Sequence, residues 1–307
     1  MTPEPNSATL PNAPSQTALH GIYFKMSALV LFCTMDAMVK GLGGTYGSFQ
    51  LMVFRSGVAL VPVAVLIWHA GGLKTVRSNR PGLQALRVII GFGSTFGFFY
   101  AFPRMPLVDA YAISFSAPLF MVTLSVLILR EPVGWRRWTA VGVGFAGVLI
   151  MLDPWGIEFH AVSLIILAAT FCYSLSTVMV RLLSRHDLDV VTLFWFALVC
   201  SLISLACAIP EWQWPPLLDW VWLVTLGLLG GVAQILITRA WRLAPAAILA
   251  PFDYVSIVLA VAFGYLWFKE QPSWTIWYGL PLVMGSGLYI LHREQVRARD
   301  RKKSLIS

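Results

Sequence analysis

One membrane-sized unit is written twice along this chain. The stretch 100–152, opening YAFPRMPLVDAYAISF, aligns without a gap on 239–291, opening RAWRLAPAAILAPFDY. Pro106 falls on Pro245, Arg130 and Glu131 on Lys269 and Glu270, and Trp135 on Trp274. Five crossings per copy would make the second copy enter the bilayer from the opposite side. The two halves would then be related by a pseudo-twofold axis lying in the membrane plane.

Composition supports membrane burial. The chain has 307 residues, of which 58% are hydrophobic and 12% charged, against about 25% charged in soluble domains. Apolar runs bounded by charge, Gly or Pro mark ten spans: 20–40, 49–69, 84–102, 107–129, 134–151, 160–181, 190–209, 219–238, 246–267 and 274–291. Each is near the ~20 residues that a helix needs to cross a bilayer. The expected fold is an all-α integral membrane protein of ten transmembrane helices in two inverted five-helix repeats. A lead over 1–19, rich in Pro, Asn, Ser and Thr, is read as disordered. It is followed by a first repeat over 20–152, a second over 153–292 and a basic cytoplasmic tail over 293–307. Eighteen of the 22 Lys and Arg fall in segments on the N-terminal side of the membrane, Arg87 among them. Lys40, Arg104 and Lys269 fall on the other side, and Arg55 lies within a span. By the positive-inside rule both termini are cytoplasmic. The net charge of +8 is then a topology signal, and a nucleic-acid partner is not expected.

Charges inside a bilayer are costly and need a reason. Asp36 and Arg55 lie at similar depth on the first two spans, and Lys40 follows Asp36 at i+4. They read either as a structural pair, Asp36 with Arg55 or Lys40, or as a cluster that holds a charged substrate group or forms an outer gate. Asp253 has no Lys or Arg within a turn and follows Pro251. It reads as a solvated or hydrogen-bonded structural carboxylate, or as a ligand for a substrate ammonium or a proton. Thr95 and Gln234 occupy matching places in Gly-rich helices and are candidate donors on a cavity wall. Tyr100, Ser114 and Tyr254 complete the candidate lining. Glu131 and Glu270, beside Arg130 and Lys269 at span ends, read as structural. The copies differ at Asp36/Thr177, Arg55/Trp195 and Ser114/Asp253, so architecture is shared and chemistry is not.

HExxH, CxxC, GxSxG and phosphate-loop motifs are absent from the sequence, and all five histidines sit at span ends. An enzyme is not expected, nor are cofactors or metals. The four cysteines lie in apolar runs without ligand spacing and read as small hydrophobes.

The duplication, the Glu131-Pro132 pair before the Gly-rich VGVGFAGVLI, the matching Lys269-Glu270, MDAMVKGL in the first span and FRSG in the second together resemble the drug/metabolite transporter superfamily, in its ten-helix EamA-type branch. The resemblance implies a secondary transporter of small organic metabolites working by alternating access around a central cavity. Spans 5 and 10 would buttress the bundle from outside. Amino acids or related amphipathic compounds are the expected substrates, with export favoured. The alternative is uptake of a vitamin or nucleotide-like metabolite of the riboflavin or S-adenosylmethionine type, whose branches MDAMVK and FRS resemble. A channel or an intramembrane enzyme is a weaker reading. The expected partners are the lipid bilayer and a small-molecule substrate, with protons a candidate coupling ion. The expected location is the inner (plasma) membrane.

Overall fold

The computed structural model describes residues 16–129, 135–152, 161–184, 186–244 and 249–304. The helices are α1 (Gln16–Leu42), α2 (Ser48–His69), α3 (Pro81–Ala101), α4 (Leu107–Ser114), α5 (Ala117–Leu129), α6 (Trp135–Leu152), α7 (Ala161–Leu183), α8 (Asp189–Ala208), α9 (Leu217–Leu243), α10 (Val255–Phe268) and α11 (Trp274–Ser304). A 3₁₀ turn, Ala250–Tyr254, leads into α10. Seven stretches are long and apolar enough to cross a membrane, with α4 and α5 together forming the fourth; Trp138–Leu152 and Phe252–Phe268 are shorter apolar helices. Exposed Val61, Val65, Leu202, Leu205, Val258 and Leu266 give the bundle an apolar exterior suited to lipid.

Three boundaries differ from the sequence reading. Helix α1 begins at Gln16, inside the stretch read as a disordered lead, and α11 continues to Ser304 through the stretch read as a tail. The fourth span is also broken. Pro118 has no N–H to give to the turn before it. The Ser116 amide bonds Ile113 at i−3, and α5 starts afresh from the Ser116 carbonyl. The 3₁₀ turn holding Pro251 stands at the corresponding place in the second copy, so both copies interrupt the same span near a proline.

Packing between the halves maps onto itself when they are exchanged. Helix α1 packs on α9 and its counterpart α7 on α3; α2 packs on its own counterpart α8, and α6 on α11. Phe115 and Tyr254 occupy the same position of the two copies. Their rings stack at 5.1 Å with 13° between planes, so the axis passes between them. The connections obey the same exchange. At the Lys40 end of the bundle, Gln50 Nε2 donates to the Gln213 carbonyl at 2.6 Å and Tyr46 Oη to Asp219 at 2.5 Å. At the Lys25 end, Asn79 Nδ2 donates to the His186 carbonyl at 2.6 Å and the Asn79 amide to Asp187 at 2.8 Å.

Helices α6 and α11 pack chiefly on each other, as the buttress expectation has it. Their contact depends on small residues. A Cβ on Gly147 would stand 2.7 Å from the Gly279 carbonyl oxygen, and a Cβ on Gly279 would meet the Gly147 carbonyl in turn. Close backbone approach through small residues is how helices associate where lipid removes the hydrophobic driving force. Gly279→Ala should therefore lower the thermal stability of the detergent-solubilised protein by about 1–3 kcal/mol through overpacking. Gly285→Ala, which meets nothing within 4 Å, should leave stability equal or raised in the same unfolding measurement.

Candidate functional site

Three clusters of charge are stacked along the bundle, two of them buried and one, at the Lys25 end, with its carboxylate 39% exposed. At the Lys40 end, Lys40 Nζ reaches Glu270 Oε1 at 2.5 Å and donates to the carbonyls of Met105 at 2.6 Å and Phe102 at 3.1 Å. Glu270 Oε2 accepts the Leu107 amide at 3.0 Å, which caps the N-terminus of α4. Glu270 faces inward because α10 ends on Lys269 in the left-handed region, φ 53° and ψ 33°. The Lys269 amide returns to the Tyr265 carbonyl, the single bond of an αL ending, and the Glu270 amide bonds the Gly264 carbonyl. The expected Asp36–Lys40 pair does not form: Lys40 is spent on the second half. Asp109 is buried and accepts the Ser273 amide at 3.3 Å before α11, rather than lying on the surface.

At the Lys25 end, Lys25 Nζ meets Asp253 Oδ1 at 2.6 Å and lies 4.6 Å from the centre of the Trp241 ring. No cation lies within a turn of Asp253 along its own span. The cation comes from α1, and Lys25 itself is 3% exposed. Both ion pairs thus join α1, in the first half, to the ninth span, in the second.

The third cluster lies between these two. Asp36 is buried and accepts the Tyr111 hydroxyl at 2.6 Å. Arg55 is within charge–charge reach of Asp36, but the two do not form a direct ion pair, and Arg55 Nε is buried with no hydrogen-bond partner. The Arg55 guanidinium lies 5.8 Å from the Phe196 ring centre, and that of Arg87 lies 4.4 Å from the same ring. Arg87, counted in the sequence with the loop charges, is 9% exposed inside α3. Its Nη1 makes a long 3.4 Å contact to the Thr192 carbonyl. The one signal for Arg87 was its register: it falls three residues after Gln84 and four before Gly91, on the face of α3 that packs inward.

The same cluster corrects the repeat alignment. Gly91 and Gly230 occupy equivalent positions. A Cβ on Gly91 would meet Phe196 at 2.8 Å and Ser176 at 3.1 Å; one on Gly230 would meet Met35 at 2.8 Å and Arg55 at 3.5 Å. Arg55 therefore corresponds to Phe196, one residue beyond the expected Trp195, while Asp36 keeps Thr177. Trp195 instead donates Nε1 to the Val76 carbonyl at 2.9 Å and ties down the connection between α2 and α3. Arg55 and Phe196 are thus a second pair of equivalents facing each other across the axis.

The remaining candidates are dispersed. The hydroxyls of Thr95 and Ser114 turn back on the carbonyls of Gly91 and Ala110 in their own helices. Tyr100 lies under Arg104, whose guanidinium is 3.8 Å from its ring, at the Lys40 end. Tyr254 donates to the Met284 carbonyl at 3.1 Å. Gln234 is half-buried in α9, and its backbone carbonyl accepts Thr238. Glu131 lies outside the described residues. Cavities of about 210 Å³, lined by Leu66, Asp189 and Ile235, and about 580 Å³, lined by Leu60, Trp68 and Phe194, open beside α2 at the Lys25 end, away from Asp36. No group of three or more His, Cys, Asp or Glu able to hold a metal occurs among the described residues.

The pattern of the EamA-like transporter family matches this chain twice, over residues 19–153 and 160–291. The S-adenosylmethionine uptake transporter of Rickettsia prowazekii is 27% identical over 94% of this chain and 98% of its own length. The riboflavin transporter of Vibrio cholerae is 30% identical over 92% and 97%. The pseudopaline exporter CntI of Pseudomonas aeruginosa is 27% identical over 82% and 89%. A crystal structure at 21% identity superposes with a TM-score of 0.63 over 90% of this chain and 98% of that one, a likeness of fold alone.

Removing one member of a buried pair leaves an uncompensated charge, which costs about 3–5 kcal/mol. Lys40→Met should destabilise the protein by that order in thermal unfolding. Adding Glu270→Gln, which removes the stranded charge and keeps an acceptor for the Leu107 amide, should recover most of the loss.

Proposed function

The chain belongs to the EamA-like transporter family, and from that premise we propose that it takes up an amino-acid-bearing metabolite of the S-adenosylmethionine type by alternating access. It is a small-metabolite transporter of the bilayer and not an enzyme; substrate and direction are the proposal. The carrying observation is a mixed-charge cluster near the axis: Asp36 with Tyr111 on one side, Arg55 on the other, unjoined by a direct ion pair. A substrate bearing both a cationic centre and a carboxylate complements both. Riboflavin carries no such pair of charges and would leave the arginine unanswered. Free amino-acid export, favoured from the sequence, gives way because the relatives matching over more than nine-tenths of this chain are named for S-adenosylmethionine uptake and for riboflavin, while the pseudopaline exporter CntI matches over 82% of it. The excess of Lys and Arg at the Lys25 end supports a cytoplasmic position for that end.

Alternating access requires the cluster to open to one side at a time. With Lys25–Asp253 and Lys40–Glu270 both formed, α1 is held to the ninth span at both ends, and Asp36 is enclosed between them. Opening to either side would break a single ion pair and leave the other as the hinge.

The test is counterflow in proteoliposomes loaded with unlabelled S-adenosylmethionine. Labelled S-adenosylmethionine outside should accumulate saturably, with riboflavin competing poorly. Asp36→Asn should cut the initial rate at least tenfold at equal reconstituted protein. Counterflow of riboflavin without counterflow of S-adenosylmethionine would sink the proposal.

A further inference from the structure

We propose that Arg55 and Arg87 together form an anion site that grips a carboxylate of the substrate beside the Phe196 ring. The inference rests on the transporter reading but not on the identity of the substrate.

The first argument is charge. Lys25 answers Asp253, and Lys40 answers Glu270. Asp36 is then within charge–charge reach of Arg55 alone, while Arg87 lies within reach of Arg55 and against the same ring. An uncompensated cation inside a membrane protein costs several kcal/mol. A bound anion would relieve that cost, and a guanidinium offers a planar fork that matches a carboxylate.

The second argument is hydrogen bonding. Buried polar atoms are almost always paired, and orphans call for an explanation. Among the described residues the buried side-chain atoms lacking partners are Arg55 Nε, Ser56 Oγ, both amide atoms of Gln84, Arg87 Nε, Ser204 Oγ and Ser116 Oγ. All but Ser116 lie on α2, α3 and α8, the three helices that meet around Phe196. On α3, Gln84 and Arg87 are three residues apart and share a face; both are buried, at 4% and 9% exposure. On α8, Thr192, Phe196, Cys200 and Ser204 recur every four residues along one face. Two buried guanidiniums, each with an unpaired Nε and each set against the same ring, fit a missing acceptor better than two separate packing faults.

The third argument is position. Arg55 enters from the Lys40 half of α2 and Arg87 from the Lys25 half of α3. An anion between them touches both sides of the axis without moving. Gly91 makes room for this arrangement, since Phe196 fills the place a Cβ would take. Phe196 stands where exact symmetry would put a third guanidinium, and it serves both arginines as an apolar face.

The experiment uses the detergent-purified full chain and two ligands that differ only in the carboxylate, S-adenosylmethionine and decarboxylated S-adenosylmethionine. Binding is read by thermal shift and transport by counterflow. Wild type should bind the carboxylated compound at least tenfold more tightly. Arg87→Gln should abolish that preference by weakening the carboxylated ligand alone. Arg87→Lys keeps the charge without the fork; it serves if Arg87→Gln does not fold, and should retain a fraction of the preference. Equal binding of the two ligands by wild type, or an unchanged preference in both variants, overturns the site. If neither compound binds, methionine and citrate are compared with their methyl esters. A free acid bound in preference to its ester, with the preference lost in Arg87→Gln and reduced in Arg87→Lys, sustains the anion site while the S-adenosylmethionine reading falls. Absence of any such preference overturns the anion site as well.

Discussion

Moving an ion from water into an interior as apolar as a bilayer costs several kcal/mol even after relaxation, and that cost organises this bundle. Lys25, nine residues into α1, and Lys40, close to its C-terminus, find their carboxylates at the two ends of the ninth span, at Asp253 and at Glu270 just past it. Neither pair lies within one half. Charge neutralisation therefore depends on the halves being assembled, and the same two contacts that permit buried charge also hold α1 against the second repeat. Glu270 can turn inward because Lys269 accepts a left-handed backbone, a conformation for which glycine is the usual residue.

The pseudo-twofold relation explains how such a bundle can have two closely similar closures. Exchanging the halves converts the connection contacts at the Lys40 end into those at the Lys25 end, Gln50–Gln213 into Asn79–His186. It leaves the α2–α8 and α6–α11 contacts in place. The scaffold thus offers each face of the membrane an equivalent set of contacts. On the axis the equivalence fails in chemistry: Phe115 faces Tyr254, and Arg55 faces Phe196. A site at such a point is approached alike from both sides, yet presents a distinctive set of groups to whatever it holds.

Interrupted helices reinforce this. Pro118 breaks the fourth span and Pro251 lies in the 3₁₀ turn that opens the ninth. Irregular backbone at membrane depth is tolerated where protein surrounds it. Here the two interruptions meet each other through Phe115 and Tyr254, next to the helices carrying the central charges.

Hydropathy, the duplication and short motifs determined, by themselves, the helical class, the order of the spans and the family, because each depends on neighbours close in sequence or on a repeat comparable residue by residue. Asp36 and Arg55 were legible as charges that need a reason to be there, because a charge in an apolar run is visible without a structure. Glu131 and Glu270 were equally visible, yet the inward reach of Glu270 to Lys40 was not. Partner choice was decided only by tertiary structure. Asp253 read as solitary because Lys25 lies at the opposite end of the chain, Lys40 read as one of two alternative partners for Asp36 because i+4 spacing allows it, and Arg87 read as a loop charge because it sits near a span end. Helical periodicity fixes which face a side chain occupies but not which distant helix that face meets. In a medium where an unpaired charge is so costly, that meeting decides which charges become scaffold and which are left for a ligand.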